Sequence, residues 1–204
     1  QGAHGNRRRL RPAACETAAM NLSIHEQPLP YIDLLPARAA DAIDLVVIHC
    51  TELPDLAMAR EYGERVLHAS GTGNSGHYYI DRDGAIYRYV PGDRVAHHVR
   101  GHNEHSIGIE LVNRGRYPDW WDSRRQAMTE PYPTVQLDAL RALLAQLRAA
   151  FPNIKRIAGH EDLDTAMMPA TDDPALEIHR KLDPGPMFPW DVVLRDGALE
   201  RWHG

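Results

Sequence analysis

His49 and His160 are the residues whose types and positions suggest a metal. Each closes a short apolar run. His49 ends Ile43-Asp44-Leu45-Val46-Val47-Ile48, and His160 follows Ile154 to Ala158 and Gly159. A polar residue closing an apolar strand can equally be a capped edge, so neither histidine decides the matter alone. A catalytic zinc takes three protein ligands from His, Asp, Glu or Cys and keeps a fourth position for water. Cys50 adjoins His49, but neighbouring side chains of a strand point to opposite faces and cannot aim at one metal. Cys50 is therefore assigned to the core, as a free thiol in preference to a pair with Cys15.

The third ligand comes from a crowd of carboxylates: Glu161, Asp162, Asp164, Asp172, Asp173 and Asp183. Asp183 stands out by its setting in Lys181-Leu182-Asp183-Pro184-Gly185-Pro186, where the prolines stiffen the backbone and lower the entropy lost in holding a ligand. If the segment is extended, Lys181 and Asp183 share a face, which puts a cation beside the metal where an oxyanion would develop. In Ser106-Ile107-Gly108-Ile109-Glu110, the two isoleucines face the core and Glu110 faces the other way, beside the space that Gly108 leaves open. An exposed strand glutamate is common, so the case for Glu110 as a catalyst rests on the company it keeps.

These residues need elements to hold them. Ile43 to His49 reads as a strand buried on both faces. Asp55 is placed to cap a helix running to about His68, with Leu56, Ala59, Val66 and Leu67 turned to the core. His77 to Arg82 and Ala85 to Val90 flank Asp83-Gly84, a hairpin signal, and Ser106 to Val112 gives another strand. Thr134 is read as the cap of the clearest helix, with Leu137, Leu140, Leu144, Leu147 and Phe151 on its inner face. Ile154 to Ala158 is the last strand. Asn113 to Pro133 is read as a surface loop whose Trp120 and Trp121 anchor it. The pattern predicts an α/β (α+β) fold, a single domain with a central mixed sheet flanked by helices, and sites in such sheets sit at strand ends.

Composition narrows the function classes. With 204 residues, 43% hydrophobic and 25% charged, the chain has the make-up of one soluble globular domain. Its net charge of -5 offers no basic surplus for nucleic acid. No apolar run approaches the roughly 20 residues of a transmembrane segment. Cys15 and Cys50 are too few for a disulfide framework. Residues 1–27 are read as a poorly structured N-terminal extension. Its Arg7-Arg8-Arg9 run has no hydrophobic segment behind it, so it is read neither as an intact signal peptide nor as a lipidation site.

Taken in order, Val-Val-Ile-His49-Cys-Thr, Gly-His77-Tyr-Tyr-Ile-Asp-Arg-Asp-Gly, His98, Ser-Ile-Gly-Ile-Glu110, Gly-His160 and Lys181-Leu-Asp183-Pro-Gly-Pro resemble the type 2 N-acetylmuramoyl-L-alanine amidases, relatives of the peptidoglycan recognition proteins. The resemblance runs from about Asp44 to Trp190 and implies a catalytic domain over residues 28–204 with zinc in a groove. It implies one Zn2+ held by His49, His160 and Asp183, Glu110 as general base and Lys181 as oxyanion stabiliser. His77, His98 and Asn113 are the implied substrate contacts; His77 stands where phage members carry a catalytic tyrosine. The aspartate ligand points to the bacterial muropeptide-recycling branch. The implied activity is hydrolysis of the amide between N-acetylmuramic acid, or its 1,6-anhydro form, and L-alanine. Its substrates would be peptidoglycan fragments or muropeptides. A peptidoglycan-binding module without catalysis and a zinc peptidase acting within the stem peptide are the rival readings, and no His-Glu-x-x-His helix supports the latter. The expected compartment is the cytoplasm, or the periplasm if a signal peptide has been removed; no feature assigns an oligomeric state. The stretch from Asp164 to His179 is longer than in compact recycling amidases and is expected to form an extra loop.

Overall fold

Strand signals and helix signals alternate along the chain, and the elements follow them. A computed structural model describes residues 22–204; the arginine run, Cys15 and most of the N-terminal extension lie outside these. In chain order the elements are β1 (Ile24–Glu26), β2 (Leu45–Cys50), α1 (Leu56–Glu64), β3 (Tyr78–Ile80), β4 (Ile86–Arg88), β5 (Ser106–Leu111) and α2 (Thr134–Ala150). There follow β6 (Arg156–Gly159), α3 (His160–Leu163), β7 (Met167–Pro169), β8 (Glu177–His179), α4 (Trp190–Val193) and β9 (Glu200–Arg201).

Seven strands form one mixed sheet in the order β1-β4-β3-β5-β2-β6-β9. Only the β3–β4 hairpin is antiparallel within it. β2 lies at its heart with all six residues buried, paired in parallel with β5 on one side and β6 on the other. A strand hydrogen-bonded on both sides and covered on both faces has no place for a solvated side chain, which is why its sequence is apolar until His49. One face of the sheet packs under α2: Ile48, Ile107, Ile109 and Ile157 meet Leu140, Leu143, Leu144 and Leu147. The other face carries α1, whose Ala59 joins Tyr79, Tyr89 and Leu29 in a second cluster. The expected single-domain mixed sheet with flanking helices is the observed architecture.

Several local expectations need correction. Asp55 does cap α1, accepting the Met58 N–H at 2.8 Å. The helix stops at Glu64, however, and Val66 and Leu67 are 61% and 60% exposed rather than in the core. The Tyr31 hydroxyl donates to the Gly63 carbonyl at 2.5 Å, the acceptor that a continuing helix would offer to Leu67. The Leu67 N–H turns instead to the Thr72 carbonyl. Thr134 is the first helical residue of α2, not its cap; Pro133 precedes it and its carbonyl receives the Leu137 N–H. The extension assigned to residues 1–27 includes β1, which pairs in parallel with β4. The loop expected over 164–179 is an antiparallel hairpin, with Met167 opposite His179.

Leu140 is fully buried on the inner face of α2. Leu140→Ala is expected to lower stability by about 2–5 kcal/mol, whereas Leu67→Ala should change it by less than about 0.5 kcal/mol. Urea unfolding of both variants checks the pair; equal losses would return Leu67 to the core.

Candidate metal centre and its groove

Three donor atoms converge at the end of the sheet. His49 Nδ1 lies 2.9 Å from His160 Nδ1 and 3.0 Å from Asp183 Oδ2, and His160 Nδ1 lies 3.1 Å from the same oxygen. His49 closes β2, and His160 opens α3 directly after β6. Asp183 arrives by a backbone clasp, its carbonyl accepting the Glu161 N–H at 2.9 Å. Close approach of that loop needs the glycine at 159: a Cβ there would sit 2.9 Å from the Pro184 ring.

The donor set fits a metal ion better than it fits a set of hydrogen bonds. If both Nδ1 atoms carried protons to the carboxylate, two N–H groups would face each other at 2.9 Å. Three lone pairs around one cation remove that conflict. Ligands about 2.0–2.2 Å from a tetrahedral zinc lie about 3.3–3.6 Å from one another, so these atoms need to part by about half an ångström or less. Asp183 Oδ1 is buried without a partner, which leaves an acceptor unsatisfied unless charge is supplied nearby. Burial by itself would raise the Asp183 carboxyl, but His160, His49 and Lys181 hold it well below the usual carboxylate range. Cys50 is packed into the α2 core, and burial pushes its thiol up. It remains a thiol and no ligand, as expected from strand alternation.

Glu110 stands opposite His49 in the β2–β5 ladder. Parallel partners in register point to the same face, which brings a carboxylate beside the donor set. Burial lifts the Glu110 carboxyl to about 7, against the opposing pull of His49 and Lys181. A base poised near neutrality is suited to moving a proton at physiological pH. Glu110 lines a cavity of about 150 Å³ with Thr51, Tyr62, Ser75 and Tyr79. Lys181 and His160 line an adjoining cavity of about 260 Å³ with Arg100 and Arg180. His97, His98 and Asn74 belong to both, so the two form one groove with a waist.

Two of the three expected substrate contacts do not reach this groove. His77 is fully buried; its Nδ1 accepts the Gly108 N–H at 3.0 Å and its Nε2 faces the Arg94 carbonyl at 3.1 Å. Burial and the nearby Arg38 guanidinium hold its pKa down to about 3, which makes it a neutral brace. Asn113 is 3% exposed. Its side-chain amide donates to the Glu130 carbonyl and its Oδ1 accepts the Gly115 N–H, so it shapes the loop. His98 alone of the three faces the groove.

The brace of the groove wall leaves no local mark in the sequence. Glu52 and Arg116 form a buried two-pronged ion pair, Nε to Oε1 at 2.7 Å and Nη2 to Oε2 at 2.8 Å. Arg116 also donates to the His179 carbonyl, and the Trp120 indole N–H donates to the Glu52 carbonyl. Trp120 is thus an anchor, as expected, and it packs edge-on against Tyr117.

A buried carboxyl of near-neutral pKa beside a His-His-Asp donor set that could hold one divalent ion, at the strand ends of a mixed sheet, is an arrangement suited to metal-dependent hydrolysis. The family profile of N-acetylmuramoyl-L-alanine amidase matches residues 39–186, and the chain belongs to that family. It is 30% identical over 189 residues to the 1,6-anhydro-N-acetylmuramyl-L-alanine amidase AmpD of Escherichia coli, covering 80% of this chain and 86% of that protein. The structure of E. coli AmiD in complex with anhydro-N-acetylmuramic acid-L-Ala-D-gamma-Glu-L-Lys matches with a TM-score of 0.59 at 25% identity, over 79% of this chain and 60% of that one. The amidase LysC of Clostridium intestinale shares the fold with a TM-score of 0.62 at 21% identity, over 87% of this chain and 99% of that one. No helix among the described residues is long and apolar enough to cross a membrane.

Removing one donor should empty the centre. Asp183→Ala is expected to reduce bound zinc from about one per chain to near none, read by elemental analysis; full stoichiometry would move the third ligand elsewhere. The lifted Glu110 pKa makes a second prediction, for the metal-free chain. The folded state keeps the Glu110 proton up to about pH 7, while the unfolded chain releases it near the ordinary glutamate value. Stability credited to this group is therefore present at low pH and lost as pH rises through 7. Relative to Glu110→Gln, the metal-free wild type should lose melting temperature between pH 5 and 8; a constant difference would contradict the buried carboxyl.

Proposed function

We propose that the chain is a zinc-dependent amidase that cleaves the bond between N-acetylmuramic acid, in its 1,6-anhydro form, and L-alanine in soluble muropeptides. The observation that carries the reading is the meeting of His49, His160 and Asp183 donors within 3.1 Å, with Glu110 in register beside His49. The kinship with AmpD supports the anhydro-sugar substrate.

Zinc, when bound by His49, His160 and Asp183, lowers the pKa of a water toward neutrality and polarises a carbonyl. Glu110 takes the proton of the attacking water and then delivers it to the leaving nitrogen of L-alanine. Lys181 places its ammonium where the carbonyl oxygen gains charge, a contribution of about 3–4 kcal/mol per donor in acyl transfer. The groove gives the two halves of a muropeptide different surroundings. The cavity beside Glu110 carries Leu53, Tyr62 and Tyr79, surfaces suited to a sugar ring. The cavity beyond the waist carries Arg100, Arg180 and Lys181, a cationic wall suited to the carboxylates of a stem peptide. Residues 28–204, with β1 added at the sheet edge, form the catalytic unit, and a soluble substrate goes with a cytoplasmic place of action.

Mass spectrometry of products from anhydromuropeptide and from intact sacculi tests the reading. Release of free stem peptide from the soluble substrate is expected, with little from sacculi; equal rates on sacculi would overturn the recycling assignment, and cuts within the peptide would overturn the amidase. Glu110→Gln should keep zinc and lose about 10²–10⁴-fold in kcat. A fully active Glu110→Gln would remove the base from the mechanism.

A further inference from the structure

His98 sits at the waist of the groove, where a substrate contact would be expected, yet its ring is committed elsewhere. Its Nδ1 lies 2.9 Å from His49 Nε2, and its Nε2 lies 3.2 Å from Ser106 Oγ. Ser106 Oγ in turn lies 2.7 Å from the His102 carbonyl. The direction of this chain of bonds can be read from its far end. A carbonyl only accepts, so the Ser106 hydroxyl donates to His102 and offers its lone pairs back to His98. His98 therefore carries its proton on Nε2, leaving Nδ1 bare to accept from His49. With its proton on Nε2, His49 presents an unprotonated Nδ1 to His160 and Asp183.

The ring is held in that pose by its surroundings. A Cβ at Gly108 would come within 2.6 Å of the His98 ring, so the ring occupies space that only glycine leaves open. The His98 and Val99 N–H groups both donate to Asn103 Oδ1, at 2.9 and 2.8 Å. Arg38 ties the same loop down, donating to the Asn103 and Ser106 carbonyls at 2.8 Å each.

We propose that His98 is a positioning residue that, anchored by Ser106, fixes His49 in the tautomer whose Nδ1 lone pair faces the metal. The proposal rests on the zinc-amidase reading and deepens it. Outer partners of metal-bound histidines orient the ring and set the tautomer, and their loss weakens metal binding about 10–100-fold.

The test uses the full zinc-loaded chain and reads more than activity. Long-range proton–nitrogen NMR of the histidine rings should find the proton on Nε2 in both His49 and His98; a His98 proton on Nδ1 would overturn the proposal without any substitution. In competition with a chelator, His98→Phe should bind zinc about 10–100-fold more weakly. Ser106→Ala should shift affinity in the same direction by less, because His98 is then free to exchange tautomers. Gly108→Ala should also weaken zinc, because it displaces a ring whose hydrogen-bonding groups are all intact. Unchanged zinc affinity in His98→Phe with a raised KM would make His98 a substrate contact and refute the inference alone. A wild-type chain that binds no zinc would refute the amidase reading as well.

Discussion

The register of three parallel strands governs everything else in this molecule. With Leu45 opposite Ser106 and Arg156, the ladder places His49 beside Glu110 and ends β6 one residue before His160. No loop adjusts these positions. A slip of one residue would turn His49 to the α2 face and bring Cys50 to the groove. What prevents the slip is the apolar filling of both faces of β2. Val46 and Ile48 lie in the cluster beneath α2, and Leu45 and Val47 lie against Val99 and Ala158 on the other side. The hydrophobic core thus acts on the candidate site at a distance, because its burial fixes the pairing that aligns Glu110 with His49.

The third donor of the candidate centre depends on a different kind of constraint. Asp183 belongs to no strand or helix, and its place is set by groups around the backbone. The Glu161 N–H holds its carbonyl, and the Tyr132 hydroxyl holds the next carbonyl, that of Pro184, at 2.7 Å. Pro184 then rests where Gly159 has no side chain. Each contact is made by a residue outside the donor set, so the ligand geometry is distributed over β6, α3 and the segment before α2.

This division explains how much could be read from the sequence. The positions of His49 and His160 were legible, because a histidine that closes a run of β-branched residues marks the strand and its end; a metal role was not legible from either alone. Asp183 was legible through its proline setting and through family resemblance. The short edge strands β1 and β9 were not, since three and two residues carry no period. Val66 and Leu67 fitted the helical pattern and were placed wrongly, because the Tyr31 hydroxyl that takes the Gly63 carbonyl lies 32 positions away. The Glu52–Arg116 pair spans 64 positions and leaves no local signal for the same reason. His77 and Asn113 came from family resemblance alone, and only the folded chain shows that their polar atoms are already used by the backbone.

The Glu52–Arg116 pair also bears on the character of the groove. Taking two charges out of water costs several kcal/mol per ion, repaid only when geometry and further hydrogen bonds are good. Here the carboxylate receives both guanidinium prongs and the Arg116 backbone N–H, while the guanidinium also reaches Gln126 and the His179 carbonyl. Glu52 adopts a left-handed backbone conformation, φ 49°, only three residues after His49. A β2 exit, a 113–133 loop and the β7–β8 hairpin are thereby joined through one buried pair. Breaking such a pair costs about 3–5 kcal/mol, so these segments cannot part without a large share of a domain's stability. The wall of the groove on this side is therefore built from contacts within the chain, before any ligand arrives.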